Sequence, residues 1–227
     1  MKSFFLFILL MVAVSIACTG YKSAGSPTVS NHNAPTPQLS PQNESAPTQD
    51  KPKCTLTLAS FPAINGVKMR MTTDEVLALF SGSKEDPAVS SVLARPPNAS
   101  GTSSFVIRPE KYEGREKFTG ISQFSFNLFD GRVYNLTVGY KGPEYSHVDK
   151  FVAKFVEGTN LPPVENWQVY VGMDTQMKTL NCADFEVSVF AGGPGGSLNY
   201  VSVRDLEAEK RLNDRESKAS EKPTPKP

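Results

Sequence analysis

The sequence predicts an α+β domain over residues 54–205: an antiparallel sheet with two helices packed on one of its faces. Three observations lead there. Two amphipathic helix starts, "MTTDEVLALFSG" (71–82) and "YSHVDKFVAKFVEG" (145–158), each precede a set of strand-like runs. Those runs alternate apolar and polar residues and are separated by turn-forming residues, as in antiparallel hairpins. Helices that lead into hairpins, rather than alternating singly with strands, argue helices segregated to one sheet face.

Taken in order, residues 1–17 read as a signal peptide. Lys2 supplies a positive charge and "FFLFILLMVAVSIA" (4–17) the apolar region. The run falls short of the ~20 apolar residues a membrane span needs, which sets the competing reading of a transmembrane anchor behind. Ser15 and Ala17 are the small residues that place the cut before Cys18. Residues 18–53 form a Pro/Ser/Thr-rich linker with almost no large apolar side chains, unable to offset its ordering entropy. About 35 flexible residues have an r.m.s. span of ~30–35 Å, the reach of a tether. A passive pro-segment is the alternative.

Within the domain, "CTLTLAS" (54–60) reads as a leading strand. Thr72 and Glu75 form a capping-box pair opening the first helix, with Val76, Leu79 and Phe80 on one face and Gly82 at the stop. "SFVIR" (104–108) is a strand, and "ISQFSFNLFDGRVYNLTVGY" (121–140) a hairpin. Phe124, Phe126 and Leu128 alternate on its first strand; Tyr134, Leu136, Val138 and Tyr140 alternate on its second. A two-residue Asp130-Gly131 turn would put these rows on opposite faces. A three-residue loop from Phe129 to Gly131 pairs Phe126 with Tyr134 and Phe124 with Leu136, leaving Gly131 in a G1 bulge; the shared face selects it.

The second helix starts at an N-cap on Ser146 and aligns Val148, Phe151, Val152 and Phe155. "NWQVYV" (166–171), "MKTLNC" (177–182), "DFEVSVFA" (184–191) and "LNYVSVRD" (198–205) read as strands, with "GGPGGS" (192–197) as a hairpin loop rather than a phosphate cradle. Helix-then-strands occurs twice, and "TDEVLALF" shares Asp, Ala and Phe with "VDKFVAKF", which suggests an αβββ pseudo-duplication. Residues 206–227 read as a charged tail. Glu207/Arg211 and Asp214/Lys218 have i,i+4 spacing, but without a sustained apolar face the segment is expected to be disordered or marginally helical.

The chain has three cysteines. In an oxidising compartment an odd thiol is a liability; lipid on Cys18 would leave Cys54 and Cys182 as an even pair near the two ends of the domain. Spacing alone leaves open whether they bridge or stay as two buried thiols.

Functional equipment is sparse. Lys+Arg 24 against Asp+Glu 23 gives a net charge of +1, with no basic excess for nucleic acid. "RPEKYEGREK" (108–117) alternates signs and reads as a solvated stretch. The two histidines are His32, in the linker, and His147, beside a helix cap; no metal-ligand spacing occurs, and no catalytic residue, metal or cofactor is assigned. Glu110, Glu113 and Glu116 lack flanking apolar residues that would raise a pKa. The sequons at Asn43, Asn98 and Asn135 are read as coincidental. Phe129 at the hairpin tip, Trp167 and Tyr170 remain as candidate binding aromatics, with core packing the competing role for Trp167.

Two resemblances add to this reading. "SIAC" (15–18) resembles the bacterial lipobox, whose cysteine receives diacylglycerol and further acyl chains. "INGVKMRMTTDEVLALFSG" (64–82) resembles the opening of small bacterial envelope lipoproteins of the SmpA/OmlA type and, more loosely, of β-lactamase-inhibitor-protein-like domains. Met71, Thr72 and Val76 match their apolar-then-Gly-Met-Thr start, with Arg70 at the position of the Gly. The resemblance implies helices on an antiparallel sheet and a non-catalytic protein-binding or scaffolding role in the cell envelope, lipid-anchored in the outer membrane or periplasm, with another envelope protein as partner. The alternatives are an extracytoplasmic enzyme with an unrecognised carboxylate site, and a soluble secreted binding protein if Cys18 carries no lipid.

Overall fold

A computed structural model describes residues 54–170, 172–173, 176–192 and 198–220. The segments read as a signal peptide and as a linker with Cys18, most of the "GGPGGS" loop and residues 221–227 lie outside the described residues.

The fold is α+β, built on one seven-stranded antiparallel sheet. The strands are β1 (Thr102–Ile107), β2 (Ile121–Phe129), β3 (Arg132–Tyr140), β4 (Gln168–Val169), β5 (Met177–Asn181), β6 (Phe185–Gly192) and β7 (Leu198–Asp205), in the order β1-β2-β3-β7-β6-β5-β4. Helices α1 (Thr73–Leu77) and α2 (Pro87–Leu93) precede β1, α3 (Val148–Val156) precedes β4, and α4 (Leu206–Ser220) follows β7. Two helix-then-meander halves therefore face each other across the central β3–β7 pair.

Local chemistry explains the helix starts. The Thr72 hydroxyl accepts from Glu75 N at 3.3 Å and Glu75 Oε2 accepts from Thr72 N at 2.7 Å, which closes the capping box. Val76, Leu77 and Phe80 turn inward from this helix. Asp86 caps α2 through Ala88 N at 2.8 Å with Pro87 at the first helical position, an Asp-Pro signal for a helix that the strand-and-helix patterning did not predict. In α3 the cap is His147 rather than Ser146, its Nδ1 accepting from Asp149 N at 3.2 Å; Val148, Phe151 and Val152 are buried as the stripe predicts.

The leading segment does not join the sheet. Leu58–Ser60 is a single 3-10 turn. Leu58 N donates to Asp184 Oδ1 at 2.7 Å and Ala183 N to Leu56 O at 3.1 Å, so the segment crosses the β5–β6 turn instead of pairing along an edge. The Cys54–Cys182 disulfide is present, with Cα atoms 4.5 Å apart, and secures it there.

The hairpin register differs from the expected one. Asp130 and Gly131 form a two-residue turn with Phe129 opposite Arg132, both turn residues at positive φ (50° and 74°). The register then shifts between Asn127 and Leu128, and Phe126 pairs with Leu136 and Phe124 with Val138. Tyr134 is the extra residue of a bulge. It lets Val133 and Leu136 both face the core while Tyr134 turns to the other face.

One face of the sheet carries the main core, to which α1, α2 and α3 all contribute. Phe80 stacks on Phe118 at 4.7 Å and leans on Phe124 at 5.6 Å, and Phe126 stacks on Phe105 at 4.8 Å. The tail differs from the disordered or marginally helical segment expected. Residues 206–220 form a fifteen-residue helix, α4, whose Ala208 and Leu212 pack against Phe129 and Tyr134 on the opposite face of the sheet. The molecule thus has more than two helices, and they do not all share one face.

Candidate functional site

The site residues expected from sequence do not converge. Phe129 is 4% exposed, sealed under α4. The guanidinium carbon of Arg215 lies 4.5 Å from its ring centroid, that of Arg211 5.5 Å, and Tyr134 meets it edge-on at 6.4 Å. It is a seat for the helix, not an exposed contact. Trp167 is fully buried in the main core, where Nε1 donates to Pro162 O at 3.0 Å. Tyr170 alone of the three is open to solvent, 49% exposed just beyond β4. Cys54 and Cys182 are bonded to each other.

What the fold does assemble is a surface on the sheet face opposite the main core. Directly paired residues share a face, so the rows can be read from the register. One row runs Gln168, Thr179, Ser188, Ser202, Thr137, Ser125 and Val106 across all seven strands. It holds no charged side chain. Thr137 Oγ1 donates to Ser202 Oγ at 3.2 Å along it. The neighbouring row sets Met177 beside Phe190 and Phe190 beside Tyr200. Phe190 and Tyr200 stack at 4.9 Å, Tyr170 N donates to Met177 O at one end, and Leu198, 54% exposed, lies two residues before Tyr200 on the same face. The result is an aromatic and aliphatic strip beside a hydroxyl-rich strip.

Sequence reading missed Met177, Phe190, Tyr200 and Leu198, although a signal existed. In β6 the core phase is Phe185, Val187, Val189 and Ala191; Phe190 is a large apolar residue on the polar phase, and Tyr200 and Leu198 break phase in β7 in the same way.

The other end of that face is closed by α4 through charge pairs. Arg70 Nε and Nη2 donate to Asp205 at 2.6 and 3.2 Å, and Nη2 also reaches Glu207 at 2.9 Å. Burial works to raise the Asp205 carboxyl, but the Arg70 hydrogen bond and the Ala208 N–H hold it below the ordinary value. Arg204 bridges Glu186 (2.8 Å) and Glu209 (2.9 Å), and Arg215 grips both oxygens of Asp130 at 2.8 and 2.9 Å. Gly101, at φ +79°, leaves room for that grip: a Cβ there would lie 2.5 Å from Arg215 Nη1.

A second titratable cluster joins α3 to β5. Lys178 Nζ lies 2.5 Å from Asp149 Oδ1, and His147 Nδ1 3.4 Å from Asp149 Oδ2. The pair ties the start of α3 to a largely buried lysine, and among the described residues no cysteine, serine or threonine side chain bonds to it. Among the described residues, no group of three or more His, Cys, Asp or Glu is placed to hold a metal ion, and no helix is long and apolar enough to cross a membrane. No family model, curated protein or solved structure matches this chain.

Proposed function

We propose that the chain is a cell-envelope lipoprotein acting as a non-catalytic protein-interaction or scaffolding module. It is anchored through lipid on Cys18 and presents the open face of its sheet to another envelope protein. The observation that carries this is the uncharged strip of exposed Tyr170 and Leu198 and half-buried Met177 and Tyr200, backed by the buried Phe190 ring, beside a row of hydroxyl groups. Aromatic residues and Met are enriched, and charges depleted, at the centres of protein interfaces. The disulfide supports an oxidising compartment. Arg70 adds support to the envelope-lipoprotein resemblance. It occupies the position of that family's Gly and takes a backbone conformation that glycine favours, φ +65°.

Two measurements test the reading. Intact mass of the mature protein should show Cys18 carrying acyl chains; a mass explained by an unmodified thiol removes the anchor. Purification from solubilised envelope should recover a defined protein that a Tyr200→Ala, Leu198→Asp variant loses. Recovery of no specific partner, or of one that the variant retains, sinks the interaction surface.

A further inference from the structure

The two edges of the sheet are unlike. The β4 edge is two residues long and barely offers a template. The β1 edge is six residues long, "TSSFVI", with neither proline nor charge between Thr102 and Ile107. Proteins ordinarily blunt an edge of that length with Lys, Pro, a bulge or a covering element. Asn98 marks which groups point outward: its Oδ1 accepts from Thr102 N at 2.8 Å and its N donates to Thr102 O at 2.9 Å. Strand alternation therefore directs the N–H and C=O of Ser104 and Val106 away from β2 as well. Among the described residues nothing pairs with them. The Val106 side chain beside them is 47% exposed.

A groove of about 500 Å3 runs along this edge. Ala88, Val89 and Val92 of α2 form one wall, and Phe105 and Val106 line the strand side. Arg108 and Lys111 stand at the end where β1 finishes. Among the described residues neither makes an ion pair. Lys111 acts on Asp86 only as a minor influence, since that carboxylate is held low mainly by the hydrogen bond from Tyr112.

We infer that this groove is a strand-addition site for an extended, acidic-apolar peptide segment of a partner protein. The segment pairs antiparallel with Ser104 and Val106, sets an apolar side chain against Val89 and Val92, and places an acidic side chain at its N-terminal end between Arg108 and Lys111. Main-chain hydrogen bonds supply affinity in this mode, and alternate side chains supply specificity. Antiparallel addition brings the N-terminal part of the incoming strand to the Arg108 end, so a side-chain carboxylate answers the two cations rather than a chain terminus. A second copy of β1 brings no carboxylate, because Thr102–Ile107 contains none. The groove shares no residue with the strip of Phe190 and Tyr200, so binding at one can be lost without the other.

The test uses the full chain and a phage-displayed library of random heptapeptides, counter-selected against a Val106→Pro variant. Proline at 106 removes an N–H that the native sheet does not use, so β2 pairing is retained. The expected enrichment is of sequences alternating apolar residues with an acid in the N-terminal half. The best peptide should slow amide exchange at Ser104 and Val106, and bind at least tenfold more weakly to Arg108→Ala, Lys111→Ala protein and to a Val106→Lys variant. The site is overturned if no sequences separate wild type from Val106→Pro. It is equally overturned if the selected peptide leaves Ser104 and Val106 exchange unchanged. Concentration-dependent dimerisation of the free chain that Val106→Lys abolishes would make a second copy the occupant and overturn the peptide assignment.

Discussion

Removing the disulfide should destabilise the whole domain rather than release one end. Cys54 and Cys182 are 128 residues apart, and the unfolded chain without the bridge regains the entropy of that loop. In the chain-entropy relation a loop of this size corresponds to about 17 cal/mol/K, or about 5 kcal/mol at 25 °C. That is large against the ~5–15 kcal/mol by which single domains are stable. The segment it secures has other holds. Leu58 and Phe61 are buried, Phe61 meets Phe185 edge-on at 5.3 Å, and Asn160 Nδ2 donates to Ser60 O. A Cys54→Ser, Cys182→Ser variant should thus keep its native fold while its Tm falls by roughly 10–20 °C, at about 2–4 °C per kcal/mol for a domain of this size. Its urea m-value should rise, because the unbridged denatured chain exposes more surface. Thermal and urea unfolding followed by circular dichroism read both. A loss of Tm below about 3 °C, or local fraying of residues 54–61 in hydrogen exchange with global stability unchanged, would refute the reasoning.

Three further outcomes follow from the packing. Trp167→Ala should lower stability by about 3–5 kcal/mol, while Tyr170→Ala should stay within about 0.5 kcal/mol; paired urea titrations compare them. Leu212→Ala should cost about 2–3 kcal/mol and speed amide exchange across residues 206–220, since Ala208 and Leu212 are the apolar residues that α4 buries against the sheet. Lowering pH should weaken the fold: the Asp205 carboxyl is held below its ordinary 3.8, so its contribution is complete above that value and is lost as pH falls through the folded one. Arg70→Met removes the bond that opposes the effect of burial on Asp205, so it should lower Tm at neutral pH and flatten this part of the acid fall, the two proteins converging at low pH; a pH series of Tm values checks the direction.

What was legible in the sequence was what local chemistry determines. The Thr72–Glu75 box closes over three residues, and the Val148, Phe151, Val152 stripe needs only helical spacing, so both appear where expected. The hairpin register was not local. Asp-Gly supports a two-residue turn, but the bulge at Tyr134 exists because Tyr134 and Phe129 both turn to α4, more than 70 residues further on. The same distance hid α4. Its mean hydropathy is low, and two small apolar contacts suffice only because an aromatic pair, arginine lids and the Arg70–Asp205 bond await it. Of the candidate site, Tyr170 was visible as an aromatic residue, while Phe190 and Tyr200 blended into strands whose other apolar residues face the core.

The most direct test is photo-crosslinking in intact cells from a benzophenone amino acid placed at Tyr200, with the exposed Lys68, just after Val67, as control. An interaction surface on the open face should give one discrete crosslinked envelope protein from position 200, absent from position 68 and weakened by Leu198→Asp. Equal crosslinking from both positions, or none from position 200, would contradict an interaction surface on the open face of the sheet.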